Sequence, residues 1–168
     1  MAIAQPLRTR PATPADAPAI QRLIDAFTAD GTLLPRTADF IATNAVDFIV
    51  AVATTDRGDQ IVGCVHLDEY APSLAELRSL AVDPKWQGQG VGRALVAATE
   101  RLARIRGNDA LFAVSNDEEF FARFGFSRHE IPELDLERSE VSRYKGVYAK
   151  DLSGRGLPDW LRGVGHAA

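Results

Sequence analysis

Gly88, Gly90 and Gly92 alternate with Gln87, Gln89 and Val91 at the point where an apolar run ends and an amphipathic run begins. Glycines remove the side chains that would hold a ligand away from the backbone. The first N–H groups of a helix have no partner within it and carry a partial charge of about +0.5, so such a junction binds phosphate or pyrophosphate. What the loop lacks narrows the ligand. A nucleoside-triphosphate loop needs Lys-Ser/Thr after its last glycine, and Gly92 is followed by Arg93-Ala94. A dinucleotide fingerprint needs Gly-x-Gly-x-x-Gly, a spacing that Gly88, Gly90 and Gly92 do not keep. The pattern left is Gln-x-x-Gly-x-Gly from Gln87 to Gly92, with a glycine-rich connection that binds nothing as the competing reading.

Two elements must hold this loop. Leu77, Leu80, Ala81 and Val82 read as a strand, Leu77 to Val82, stopped by Asp83-Pro84 because proline lacks the ladder donor. Val91, Leu95, Ala98 and Leu102 share one face at 3.6 residues per turn, and Arg101, Arg104 and Arg106 follow near the end where the macrodipole favours cations.

Upstream, Leu7 to Arg10 is a first strand. Thr13-Pro14-Ala15-Asp16 starts a helix whose buried face is Ile20, Leu23, Ile24 and Phe27. Thr37 caps a short helix around Phe40 and Ile41. Phe48 to Thr54 and Gln60 to Glu69 form a hairpin across Asp56-Arg57-Gly58-Asp59. Downstream, Ala110 to Val114 is a buried strand, Asp117 opens a short helix that closes on Gly125, and Tyr144 to Leu152 is the last strand. Residues 1–152 then make one α/β domain, with a mixed central sheet of about seven strands flanked by helices, and residues 153–168, with an isolated Trp160, read as a tail.

Composition excludes several classes. With 168 residues, 46% of them hydrophobic, the chain supports one domain with a sizeable core. A net charge of −4 gives no overall signature for nucleic acid or an anionic membrane. Cys64 is the only cysteine, and His66, His129 and His166 show no ligand spacing, so no disulfide framework and no metal site is expected. The N-terminus lacks a charged region followed by an apolar one, and no apolar run nears the ~18 residues of a membrane span, which points to the cytoplasm.

Leu-Ala-Val-Asp-Pro followed by Gln-x-x-Gly-x-Gly resembles the GNAT-type N-acetyltransferases, whose pyrophosphate loop holds acetyl-CoA. The resemblance covers nearly the whole chain and implies acetyl-CoA as co-substrate on Gln87, Gly88, Gln89, Gly90, Val91, Gly92 and Arg93. It implies that the strand at Leu77 to Val82 bulges and splays from the one at Ala110 to Val114. Acetyl-CoA then pairs with backbone near Leu80, Ala81 and Val82, where an N–H stabilises the charge growing on the thioester oxygen. Phe121 to Phe126 matches the family's Tyr-x-x-x-Gly-Phe, and Ser115, Phe121 and Phe124 fall beside the pantetheine arm; on composition alone these aromatics are core.

The reaction implied is direct attack of a neutral amine on the thioester carbon, which needs a base and no cysteine nucleophile. Glu76, a carboxylate at the start of the organising strand, matches the family's acid; Asp68 and Glu69 are reserves, and a solvated strand-end charge is the competing reading of Glu76. Many relatives carry a tyrosine at the place of Phe121, and phenylalanine donates no proton. That leaves the general acid unassigned, with Ser115, Tyr70 or Tyr144 able to position a water.

Gly31 to Thr37, Ala75 to Val82, Phe120 to Phe126, Ile131-Pro132 and Arg143 to Leu152 together look like the acetyltransferase domain of N-acetylglutamate synthases. This implies L-glutamate as the amine, held by Arg36, beside Leu34, and by Arg143, with Arg78 competing for either role. Two guanidinium forks suit a dicarboxylate. Many such synthases also carry an amino-acid-kinase domain, for which this chain is too short. The rival readings are a GNAT enzyme for another small amine or a protein amine, and a catalytically silent acetyl-CoA-binding regulator. A homodimer is compatible with the resemblance; no nucleic acid or membrane partner is expected.

Overall fold

The computed structural model describes residues 6–130, 145–158 and 161. Along them run β1 (Leu7–Pro11), α1 (Ala17–Asp25), α2 (Ala38–Thr43), β2 (Phe48–Thr55), β3 (Gly58–Ala71), β4 (Leu74–Val82), α3 (Val91–Ile105), β5 (Ala110–Ser115), α4 (Glu118–Ala122), β6 (Ser127–His129) and β7 (Gly146–Asp151). The strands form one mixed sheet in the order β1-β2-β3-β4-β5-β7-β6. β4 beside β5 is parallel, whereas β1/β2, β2/β3, β5/β7 and β6/β7 are antiparallel. Two compact units divide the chain, Met1–Leu67 with Ser79–Thr99 and Asp68–Arg78 with Glu100–Ala168.

In the first unit, α1 buries Ile20, Leu23 and Ile24, the i, i+3, i+4 stripe that its sequence encodes. These side chains join Ile41 of α2, Phe48 and Val50 of β2, Cys64 of β3 and Ala81 of β4 in one apolar cluster. Each large side chain buried there contributes about 1.5–3 kcal/mol, which is what fixes the helical layer. The Thr37 hydroxyl caps α2 by accepting the Phe40 N–H at 3.1 Å. The β2–β3 register slips between Ala51, opposite Gly63, and Val52, opposite Ile61. Val62, passed over by the slip, accepts the Asp83 N–H on its carbonyl at 2.8 Å. The bulge therefore ties β3 to the residue that begins the glycine loop.

In the second unit, β5 lies between the start of β4 and β7, with Glu76 opposite Phe112 and Phe112 opposite Ala149. One face packs Leu74, Ala110, Phe112, Ala149 and Leu161 together. On the other, Phe121 and Phe126 lie against one another and Phe121 against Tyr148.

The structure departs from the sequence reading in three places. β4 begins at Leu74 instead of Leu77, because Pro72-Ser73 makes a tight turn with Ser73 at φ 66°. Glu76 is thus the third residue of the strand and not its start. β6, too short to show a period, pairs with β7 through Ser127 opposite Ala149. Leu157 and Leu161, within the stretch expected as a tail, pack on the second apolar cluster. Arg143, Tyr144, Ile131-Pro132 and Trp160 lie outside the described residues.

Candidate active site

The glycine loop is built entirely in the first unit. Asp83 accepts the Lys85 N–H on its carboxylate at 2.9 Å, which starts the single turn Pro84–Trp86. The Gln87 amide donates to the Val82 carbonyl at 3.4 Å and the Gln89 amide to the Lys85 carbonyl at 3.1 Å, so both glutamines fold the loop onto itself. Gly88 and Gly90 have φ of 76° and 85°, and a Cβ on either would meet no atom within 4 Å. They are needed for backbone conformation and leave the loop open to a ligand. The first helical hydrogen bond of α3 runs from the Ala94 N–H to the Gly90 carbonyl at 3.0 Å. The N–H groups of Gly90, Val91 and Gly92 thus precede the helix's bonding pattern, at its positive end. Val91 and Leu95 are buried against Gly63, which fixes where that end lies. This is a cradle for a pyrophosphate, with Arg93 as an exposed cation on the helix's first turn.

Within β4, Ser79 takes φ 51°, a left-handed conformation for a buried residue that is not glycine. Such a residue costs of order 1–3 kcal/mol and persists only where its surroundings hold it. It stands immediately before Leu80, within the strand that the family resemblance implies is bulged. Leu80 and Val82 are half-buried and Ala81 is buried. The Ser79 carbonyl accepts the Cys64 thiol, with Sγ at 3.5 Å. Burial pushes that thiol up to about 12, so Cys64 stays protonated and is a core residue.

In the second unit, Arg78 joins two of the three candidate carboxylates. Its Nη1 lies 3.0 Å from Asp68 Oδ2, and its Nε 3.7 Å from Glu76 Oε2. The Glu76 side chain is 12% exposed, against 41% for Asp68, and Glu69 is exposed. Glu76 is therefore the most enclosed of the three. The paired register of β4 with β5 reaches Glu76 opposite Phe112, while β4 continues to Val82 and β5 to Ser115.

The remaining positions are spread over the two units. In the first, Arg36 is half-buried, donates to the Pro35 carbonyl at 3.1 Å and lies 5.6 Å from the centre of the Phe40 ring. Leu34 is half-buried beside it in sequence. His66, which the sequence reading left without a role, stacks on Phe48 at 4.3 Å and meets Phe40 edge-on. In the second, the Ser115 hydroxyl accepts the Asp117 N–H at 2.9 Å, and Phe121 and Phe124 each face Phe120. Among the described residues no cluster of three or more His, Cys, Asp or Glu is placed to hold a metal, and no helix is long and apolar enough to cross a membrane.

A family model described as an acetyltransferase (GNAT) domain matches residues 46–128. An uncharacterised N-acetyltransferase of Chlorobaculum tepidum is 35% identical over 116 residues, which span 69% of this chain and 72% of that protein. An amino-acid acetyltransferase of Mycobacterium tuberculosis is 35% identical over 121 residues, 72% of this chain and 68% of the relative. The crystal structure of N-acetylglutamate synthase from Neisseria gonorrhoeae, complexed with coenzyme A and N-acetyl-glutamate, superposes with a TM-score of 0.77 at 27% identity. That match covers 90% of this chain but 36% of the synthase. With its glycine cradle at the head of α3 and this relatedness, the chain belongs to the GNAT family of acetyltransferases, acyltransferases that take their acetyl group from acetyl-CoA.

Proposed function

We propose that this chain transfers the acetyl group of acetyl-CoA directly to the α-amine of L-glutamate, a cytoplasmic step of arginine biosynthesis. The observation that carries the reading is its 35% identity to an amino-acid acetyltransferase of which it spans 68%. The N–H groups from Gln89 to Arg93 hold the pyrophosphate. The backbone at Leu80 to Val82 holds the thioester end, and Ser115, Phe121 and Phe124 line the pantetheine arm. Glu76, directly or through a water, takes the proton that the amine must lose, since a free aliphatic amine is mostly protonated at neutral pH. Arg36 and Arg143 each take one glutamate carboxylate, a pairing for which the planar guanidinium is suited.

Release of the CoA thiol, followed with a panel of amino acids and an unrelated amine, tests this. Glutamate should be turned over fastest. Equal turnover across the panel would overturn glutamate as acceptor and leave acetyl transfer to some other small amine standing.

A further inference from the structure

In the first unit a chain of side-chain contacts runs from the sheet out to Arg36. Phe48 of β2 and His66 of β3 are cross-strand partners, and their rings stack with centres 4.3 Å apart and planes 5° apart. Phe48 is fully buried and His66 is 3% exposed, so the close-packed interior fixes this pair. The Phe40 ring of α2 meets His66 edge-on, with centres 5.9 Å apart and planes at 86°. The Arg36 guanidinium carbon lies 5.6 Å from the centre of that same Phe40 ring. That is within the ~6 Å over which an aromatic face attracts a cation.

Burial does not account for Phe40. The residue that α2 buries is Ile41, while Phe40 beside it stays 39% exposed. What the exposed ring does is carry a cation. Arg36 is also held at its backbone and its head: the Gln21 amide of α1 donates to its carbonyl at 3.4 Å, its Nη1 donates to the Pro35 carbonyl at 3.1 Å, and its Nε is buried. An arginine in a connection between two helices ordinarily samples many rotamers, which it must lose on gripping a ligand. Here α1 holds the backbone and the guanidinium rests on a ring that the sheet itself supports. An arginine kept only for solubility needs neither.

We propose that Phe40 is a positioning residue for the acceptor: its ring, braced by His66 and Phe48, sets the Arg36 guanidinium in one orientation before substrate arrives, so that the site selects amines that carry a carboxylate. This rests on the reading above in which Arg36 pairs with an acceptor carboxylate. A carboxylate meets a guanidinium in the plane of its fork, whereas an aromatic ring stacks on its face. The two partners therefore do not compete. The ring fixes the plane and leaves the edge to the ligand. Loss of that orientation weakens acceptor binding and leaves the chemistry at the amine as it was.

Phe40→Leu keeps an apolar side chain on α2 and removes the aromatic face. The glutamate KM should rise about three- to tenfold, as expected for loss of a partly exposed cation–ring contact, with kcat and the CoA Kd within about twofold of wild type. Phe40→Tyr keeps the ring and should keep the wild-type KM. In an Arg36→Ala background, Phe40→Leu should change the KM by less than about twofold, since the guanidinium it orients is gone. A smaller rise than threefold in the single variant overturns the proposal, as does the same rise in the Arg36→Ala background or a KM raised equally by Phe40→Tyr. So does an Arg36 Nε–H NMR signal that Phe40→Leu leaves unmoved, a readout that needs no acceptor. The kinetics use whichever carboxylate-bearing amine wild type acetylates fastest. Failure of glutamate then appears in the amine panel, and failure of Phe40 in the variants.

Discussion

Gly63 of β3 and Val91 of α3 approach so closely that a methyl group on the glycine would lie 2.8 Å from Val91 Cγ1, 2.9 Å from Leu95 Cδ1 and 3.3 Å from the Ala81 carbonyl oxygen. Val91 follows Gly90 directly, so this contact sets the height of the phosphate cradle above the sheet. Gly63→Ala should destabilise the protein by about 1–3 kcal/mol, because β-branched Val91 cannot turn aside cheaply. It should also weaken CoA binding as the head of α3 is pushed outward. Gly58→Ala is the control: φ there is 98° with nothing within 4 Å, so only backbone strain is added. Calorimetry of CoA binding and a thermal melt on both variants check this. An unchanged melt for Gly63→Ala would refute the packing argument.

Glu76→Gln keeps the shape of the side chain and removes the base. Turnover should fall by about 10²–10⁴-fold while CoA affinity is unchanged, since Glu76 lies on β4 and the cradle at the head of α3. Arg78 keeps its Asp68 contact at 3.0 Å, so the local ion pair survives the change. Turnover within a few-fold of wild type would remove Glu76 from the mechanism.

Much of this site was legible in sequence because it depends on local rules. Alternate glycines, the 3.6-residue stripe of Val91, Leu95 and Ala98, and the Thr37 cap are each encoded within a few residues. Ser79 is different. Nothing in Arg-Ser-Leu announces a left-handed residue inside a strand, because its strain is held by the tertiary packing around Cys64 and Ala81. Leu161 was unreadable for a related reason: an isolated apolar residue has no period, and only long-range packing with Phe112 and Ala149 buries it.

The stability of the first unit should depend on pH through Asp16. Hydrogen bonds from Arg10, at 2.7 and 3.1 Å, and from the Thr13 N–H hold this carboxyl below the usual carboxylate range against the opposing effect of burial. A depressed folded-state pKa contributes stability that is present above the unfolded value and lost as pH falls through the folded one. Asp16→Asn should therefore cost about 1–2 kcal/mol at pH 7, through loss of the charge-assisted bonds from Arg10, and markedly less near pH 3. Chemical denaturation at the two pH values measures the difference. An equal loss at both would show that the carboxylate charge contributes nothing.

On the proposed reading the acceptor is selected at Arg36. Its guanidinium lies over the Phe40 ring, in the connection between α1 and α2, and the proposal gives it one glutamate carboxylate while Arg143 takes the other. A well-made charge-assisted contact is worth about 1.5–3 kcal/mol, so Arg36→Ala should raise the glutamate KM roughly ten- to a hundredfold. The acetyl-CoA KM should barely move, because the cradle is untouched. Arg36→Lys should recover little, since an ammonium keeps the charge but not the two-pronged fork. Glutamine separates the two carboxylates: it keeps the α-carboxylate and carries a neutral amide on its side chain. If Arg36 reads the side chain, glutamine is a poor substrate for wild type and loses less than glutamate does on Arg36→Ala. If Arg36 reads the α-carboxylate, both substrates lose alike. A glutamate KM left unchanged by Arg36→Ala removes Arg36 from recognition.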